Sequence, residues 1–265
     1  MPAPDAAELL AAYDSQLRGR LPDRLPPGEH AERDGPVVRF TGGAGGGWVL
    51  YRDLGGLEGE ALDELIARQV RVFADRGERF EWKWHGHDLP SDLPERLRAA
   101  GFVAEDRETV VIAPVAAVGG PVVLPDGVSL RRVVDRADFD RIAELERAVW
   151  DEDRTEVADM LETEHAFDPE SIAIVVAEAG GEAVCAAWMR FEPDTDFATL
   201  WGGATLPGWR GRGIYRATVA HRASLAAARG FGLLQVDASD DSRPILERLG
   251  FVAVTTTTPF VWSPA

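Results

Sequence analysis

Residues 198–216 read ATLWGGATLPGWRGRGIYR. The first half is rich in β-branched and aromatic residues and predicts a strand over Ala198 to Leu206. Pro207 interrupts it, and from about Gly213 a helix is predicted to run to Arg229, where Gly230 ends it. Between strand and helix lies a glycine-rich turn carrying Arg210, Arg212 and Arg216. That order prepares an anion site. The first-turn N–H groups of a helix have no acceptor within it, and the helix dipole favours negative charge there. Gly211 and Gly213 let the backbone come close to a ligand. No G-x-x-x-x-G-K-[ST] occurs, which excludes a P-loop, and a G-x-G-x-x-G fingerprint is absent at this turn. The plain alternative is a solvated, arginine-rich helix start.

Reading outward, Val128 to Val133 predicts a strand, and Asp138 to Trp150 a helix with Phe139, Ile142, Leu145 and Val149 at helical spacing. Val157 to Phe167 reads as a second helix, and IAIVVAEAGGEAVCAAWMRF as a hairpin around Gly180-Gly181. After the turn come a helix, the strand LLQVDA, a helix through Leu249 and a last strand near Phe260. The order is β-α-α-β-β-β-α-β-α-β, a sheet with helices packed on it.

An internal repeat accompanies this pattern. GFVA occurs at Gly101 to Ala104 and again at Gly250 to Ala253. Each copy follows an Arg-Gly helix end (Arg76-Gly77, Arg229-Gly230), a strand, an acidic loop and a short helix. Two tandem α/β domains of one ancestry are expected, at residues 1–115 and 128–265, joined by a linker at 116–127. The Pro and Gly content of APVAAVGGPVVLPDG, residues 113–127, favours extended chain over helix there.

Composition narrows the function. The chain has 265 residues, 45% of them hydrophobic, with a formal net charge of −17. That is enough apolar material for real cores and the wrong sign for a nucleic-acid partner. Cys185 is the single cysteine, so no intrachain disulfide forms; it sits in an apolar run and reads as a small hydrophobe. No apolar run approaches the ~20 residues of a membrane span, and the start of the chain has no basic leader. A cytoplasmic protein with no membrane partner is expected. His165 and His221 have no metal-ligand partner at useful spacing, so no metal is expected.

Arg210-x-x-Gly213-x-Tyr215 resembles the pyrophosphate motif Q/R-x-x-G-x-G/A of the GNAT N-acetyltransferase superfamily. Pro207, the strand before it, and Leu246-Glu-Arg-Leu-Gly-Phe251 at the closing helix resemble that family as well. The resemblance covers the second domain and, more faintly, the first. It implies two tandem GNAT-like domains, each a mixed central sheet flanked by helices, with acetyl-coenzyme A as co-substrate. It implies that main-chain groups of Gly203, Ala204 and Thr205 pair with the pantetheine arm. Arg210, Gly211, Arg212, Gly213, Ile214, Tyr215 and Arg216 would hold the pyrophosphate. The implied reaction is direct attack of a primary amine, on a small molecule or peptide, upon the thioester. The tandem arrangement also resembles mycothiol synthases, which adds the amino group of a thiol precursor to the acceptors. Trp150, Asp151 and Glu152 end the helix that in this family shapes the acceptor pocket; a buried Trp beside a polar loop explains them equally.

The sequence departs from the family pattern at Tyr215, at Leu246, at Ser239, which stands roughly where Asn is usual, and on the strand before the turn, which carries no carboxylate for use as a base. Tyr215 stands where Gly or Ala is usual, so the ring either packs into the domain or lines the coenzyme cleft. Leu246 stands where many relatives have a Tyr general acid. Ser239, Asp240 and Glu192 remain as polar candidates for acid–base work; the first two serve equally as helix caps and Glu192 as part of a solvated turn. In the first repeat Leu57 and Glu60 fall near the motif's Arg and Gly, and Glu58 and Glu60 would repel a pyrophosphate, so that domain is expected not to bind the coenzyme. Its EWKWHGHD stretch, residues 81–88, reads as part of an acceptor pocket or as a core strand with a polar outer face. A reading of another class stands beside catalysis, a module that binds or senses acyl-coenzyme A without turnover.

Overall fold

The computed structural model describes residues 4–264; residues 1–3 and 265, which open and close the expected domains, lie outside the described residues. The chain divides into two compact units. The N-terminal unit comprises Asp5–Val110, Asp237–Asp240 and the C-terminal segment from Ala253; the C-terminal unit comprises Val111–Val236 and Asp241–Val252.

The N-terminal unit holds α1 (Ala6–Gln16), β1 (His30–Asp34), β2 (Val37–Thr41), β3 (Gly47–Tyr51), α2 (Gly59–Arg76), β4 (Phe80–His85), α3 (Leu93–Ala99), β5 (Val103–Ala104) and the start of β6 (Glu108–Pro114). On α2, Leu62, Leu65, Ile66, Gln69 and Phe73 are buried, the three-and-four spacing of one helix face. Phe73 stacks on Phe80 at 3.9 Å between ring centroids, and Phe80, Trp82 and Phe102 extend that core.

The C-terminal unit follows the order expected from the sequence, preceded by one short helix. The stretch expected to be extended coils instead into α4 (Val115–Val118). Pro114 stands at its N-cap, where a missing N–H costs nothing, and Val115 and Val118 are buried. Then come β7 (Val128–Val133), α5 (Arg136–Trp150), α6 (Thr155–Phe167), β8 (Ile172–Ala179), β9 (Glu182–Phe191), β10 (Phe197–Thr205), a 3-10 turn at Pro207–Trp209, α7 (Ile214–Ala228), β11 (Leu233–Ala238), α8 (Arg243–Arg248) and β12 (Val252–Trp262). The strands β7 to β10 pair antiparallel in sequence, and β11 joins β10 in parallel. β8 and β9 are buried almost throughout, as their near-continuous apolar runs require. From Ala253 onward β12 belongs to the N-terminal unit, where it pairs antiparallel with β4.

The repeat reappears as geometry. Gly77 and Gly230 both have left-handed φ, 63° and 84°, and end α2 and α7 with N–H bonds to Ala74 and Ala227. Gly101 and Gly250 have φ of 93° and 100° after α3 and α8. The next residues, Phe102 and Phe251, donate to the carbonyls of Leu97 and Leu246, both at offset five, and both rings are buried.

Candidate active site

β10 and β11 pair over only Phe197–Leu233, Ala198–Leu234 and Thr199–Gln235. Beyond Thr199 the strand continues without a parallel partner on that edge, bulges between Gly202 and Ala204 against β9, and ends at Thr205. Gly202 and Gly203 have φ of 64° and 94°, a conformation that favours glycine. Neither position has room for a side chain. A Cβ on Gly202 would meet the Trp188 ring at 2.5 Å, and one on Gly203 would meet Tyr215 Cε2 at 2.6 Å. Arg222, fully buried on α7, closes the bulge by donating from Nη1 to the carbonyls of Trp188 (2.9 Å) and Trp201 (3.1 Å). Burial pushes its guanidinium below the usual range.

The turn after β10 reaches α7 through two left-handed glycines, Gly211 (φ 74°) and Gly213 (φ 83°), with Gly213 as N-cap. A Cβ at Gly211 would meet nothing within 4 Å, so backbone conformation rather than packing calls for glycine there. Helix geometry leaves the N–H groups of Ile214, Tyr215 and Arg216 without an intrahelical acceptor, and Ala217 is the first to reach one, the Gly213 carbonyl at 3.0 Å. Arg210 Nε donates to the Thr205 carbonyl at 3.0 Å, tying the turn to the strand end, and Arg212 lies 4.6 Å over the Trp209 ring. A freed strand edge, two left-handed glycines, a helix N-terminus and three arginines in the turn that follows can receive an anionic ligand.

Tyr215 packs inward, its ring against Gly203. Burial raises its hydroxyl above the usual range, so it is a neutral phenol throughout the physiological range. Cys185 is buried, accepts from the Thr205 hydroxyl at 3.2 Å, and has a thiol pushed up by burial.

The remaining sequence candidates do not gather at one point. Glu192 lies in the hairpin that opens β10, at the end opposite Gly203, Ala204 and Thr205, and accepts from the Thr199 hydroxyl at 3.0 Å. Ser239 and Asp240 follow β11 in the segment belonging to the N-terminal unit. The residue that caps α8 is Ser242, without a side-chain cap bond. Asp237 is ion-paired to Lys83. Leu246 is fully buried on α8. At the end of α5, Trp150 is 48% exposed rather than buried. Its indole N–H donates to Glu146 Oε2 at 2.8 Å. Asp151 caps the helix with φ of 56°, and Glu152 pairs with Arg154 at 2.5 Å. The sequence reading had not singled out Trp188, Arg222 or Glu146; the signal for Glu146 is its position four residues after Ile142 on the buried side of α5.

In the N-terminal unit the matching strand junction is closed. β3 pairs in parallel with β4 over Gly47–Phe80, Trp48–Glu81 and Val49–Trp82, again three pairs. Tyr51, two residues on, donates its hydroxyl to Asp88 Oδ2 at 2.5 Å. Asp88 also accepts from Arg18 at 2.7 Å and from the His85 N–H at 2.9 Å, and Tyr13 meets His85 Nε2 at 2.9 Å. Residues 81–88 therefore supply most of a strand, with Trp82 in the core and His85 and Asp88 in a buried polar network. Glu58 and Glu60 flank the start of α2. Among the described residues no helix is long and apolar enough to cross a membrane, and no group of three or more His, Cys, Asp or Glu is placed to hold a metal.

In the C-terminal unit a mixed sheet parts at a parallel junction, with a glycine turn leading into a helix beside it, in an α/β fold. Residues 139–251 match the model of the acetyltransferase (GNAT) family. Solved structures share the fold over nearly the whole chain. A GCN5-related N-acetyltransferase from Kribbella flavida superposes with a TM-score of 0.64 at 16% identity, covering 98% of this chain and 94% of its own. A tandem GNAT protein from the clavulanic acid biosynthesis pathway gives 0.61 at 16% identity, covering 97% and 94%. A functionally unknown conserved protein from Staphylococcus epidermidis gives 0.67 at 13% identity, covering 92% and 97%. The fold is thus that of tandem GNAT proteins. No curated protein sequence matches the chain.

Proposed function

We propose that the chain is an acetyl-coenzyme A-dependent N-acetyltransferase acting on a primary amine of a small molecule or peptide, with its coenzyme site in the C-terminal unit. The observation that carries this reading is the β10 edge freed after Thr199, which leads directly into the Gly211–Gly213 turn and α7. When bound, acetyl-coenzyme A supplies an activated acyl group as a thioester. The protein's own part is positional. Backbone groups of Gly203, Ala204 and Thr205 offer the pairing that β11 does not provide. The α7 N-terminus with Arg210, Arg212 and Arg216 holds the pyrophosphate by charge-assisted bonds. Trp150, Asp151 and Glu152 give the acceptor an aromatic wall and negative charge, which suits a cationic amine.

A second reading, an acyl-coenzyme A sensor without turnover, is favoured by Leu246, which is buried and apolar where relatives carry a hydroxyl acid. One set of measurements separates them. Calorimetry with acetyl-coenzyme A should show binding by the native chain, weakened about 100-fold, or ~2.7 kcal/mol, by Arg210→Glu with Arg212→Glu. An unchanged affinity in the double variant would remove the turn as the phosphate site. Thiol release with a panel of amines supports the transferase; tight binding with no release supports the sensor.

A further inference from the structure

Glu146 is 95% out of solvent, with a relative exposure of 5%, on the side of α5 that packs against β9 and β10. Its neighbours along that helix, Ile142, Leu145 and Val149, join Trp188 and Ala204 in one apolar cluster, and the Glu146 charge bears on Cys185, the register partner of Thr205 at the end of the bulged strand. One carboxyl oxygen accepts from Trp150. The other, Oε1, is buried with no hydrogen-bond partner, and so is Trp188 Nε1 on the same cluster. Stripping a carboxylate oxygen of water without a partner is costly. A protein that keeps such a group next to its substrate site has a carboxyl held ready for a proton. The surroundings agree. Burial raises the Glu146 carboxyl above the ordinary range, against the opposing pull of the Trp150 N–H and the Arg154 charge. Those groups and the Cys185 thiol on β9 are the polar and titratable neighbours that bear on it.

We propose that Glu146 is the catalytic base of the C-terminal unit and that Trp150 is its positioning residue; this rests on the acetyltransferase reading above. Glu146 Oε1 takes one N–H proton from the acceptor amine as the nitrogen lone pair forms the C–N bond to the acetyl carbon. The C–S bond breaks, its electron pair leaves on the coenzyme sulfur, and the resulting thiolate is protonated from solvent. The proton on Glu146 then returns to solvent. Each turnover yields one amide and one thiol with no oxidant or metal.

The test uses the full chain with acetyl-coenzyme A and, as acceptors, benzylamine, tyramine, putrescine, a short peptide with a free N-terminus, or water alone, whose slow thioester hydrolysis needs no knowledge of the natural amine. Glu146→Gln keeps the oxygen that accepts from Trp150. It should lower kcat at least 100-fold, leave acetyl-coenzyme A affinity within twofold, and abolish the acid limb of the pH–rate profile. Trp150→Phe should shift that limb to higher pH, by removing the N–H that favours the carboxylate while keeping most of its burial, with a smaller fall in kcat. If native protein turns over and Glu146→Gln stays within threefold of it, the base assignment falls and the acetyltransferase reading survives. If native protein binds the coenzyme yet releases no thiol with any amine or with water, both fall. Should Glu146→Gln unfold, Glu146→Asp decides. A reduced kcat with the acid limb moved to lower pH supports the base, and a native kcat and profile overturn it.

Discussion

The two junctions where a parallel pair of strands parts, β10 from β11 and β3 from β4, begin alike and finish differently. Each pair runs for three residues and stops. After Thr199 the chain spends two glycines on a bulge and then turns through Arg210, Arg212 and Arg216 into α7. After Val49 it spends Tyr51 on a buried bond to Asp88, which Arg18 and His85 complete, and enters α2 past Glu58 and Glu60. The difference teaches that an opened sheet needs filling, and that the filling can be protein or ligand. Where side chains close the gap the helix start is free to carry acids, which its dipole welcomes. Where the gap is left to main chain, the helix start carries cations.

The sharpest way to break this contrast is to pull the closure out of the N-terminal unit. Asp88→Ala removes the buried carboxylate shared by Arg18, Tyr51 and the His85 N–H, leaving Arg18 only its ion pair with Asp14, and urea unfolding should register a loss of roughly 3–5 kcal/mol. A loss under about 1 kcal/mol would mean the network is not what fills the junction. Acid should do the same more gently. Burial pushes Asp88 up, but the His85, Arg18 and Tyr51 bonds outweigh it and hold the carboxyl at about 2. A depressed carboxyl stabilises the fold above the unfolded value near pH 4 and loses that contribution as pH falls toward 2. About 2 kcal/mol should therefore disappear over that window in the native chain and not in Asp88→Asn, read from paired urea titrations. The smallest effect sharpens the other side. Glu58→Arg with Glu60→Arg gives α2 the charge of α7, yet calorimetry should find no second acetyl-coenzyme A site, because Tyr51 still occupies the junction. A stoichiometry of two would show that charge alone separates the units.

Much of this is legible in the amino-acid sequence. The order of elements in the C-terminal unit followed from periodicity, because apolar spacing on α5 and unbroken apolar runs on β8 and β9 each admit one reading. The turn was legible because glycine and arginine between a strand and a helix have few other uses. The junction itself was not. Pairing that stops at Thr199 is a relation between residues 36 positions apart, that between β12 and β4 joins residues more than 170 apart, and neither leaves a local mark. Glu146 and Arg222 were passed over for a different reason. A charged residue on an amphipathic helix is usually read as part of its solvated face, and only the burial of Ile142 and Thr218 one turn earlier shows that these two lie on the other. The helical turn α4 was missed because flanking Pro and Gly outweighed four residues that coil readily once Val115 and Val118 are buried.

The contact between Tyr215 and Gly203 reaches further than the site it borders. The ring fills the volume in which a Cβ at position 203 would lie, so neither residue can be exchanged without reference to the other. Positions 203 and 215 are in effect one heritable character written in two places. Among homologous chains a side chain at the strand position should appear only with a small residue at the helix position. A relative that has lost the tyrosine is free to use the vacated volume for a bulkier acyl group.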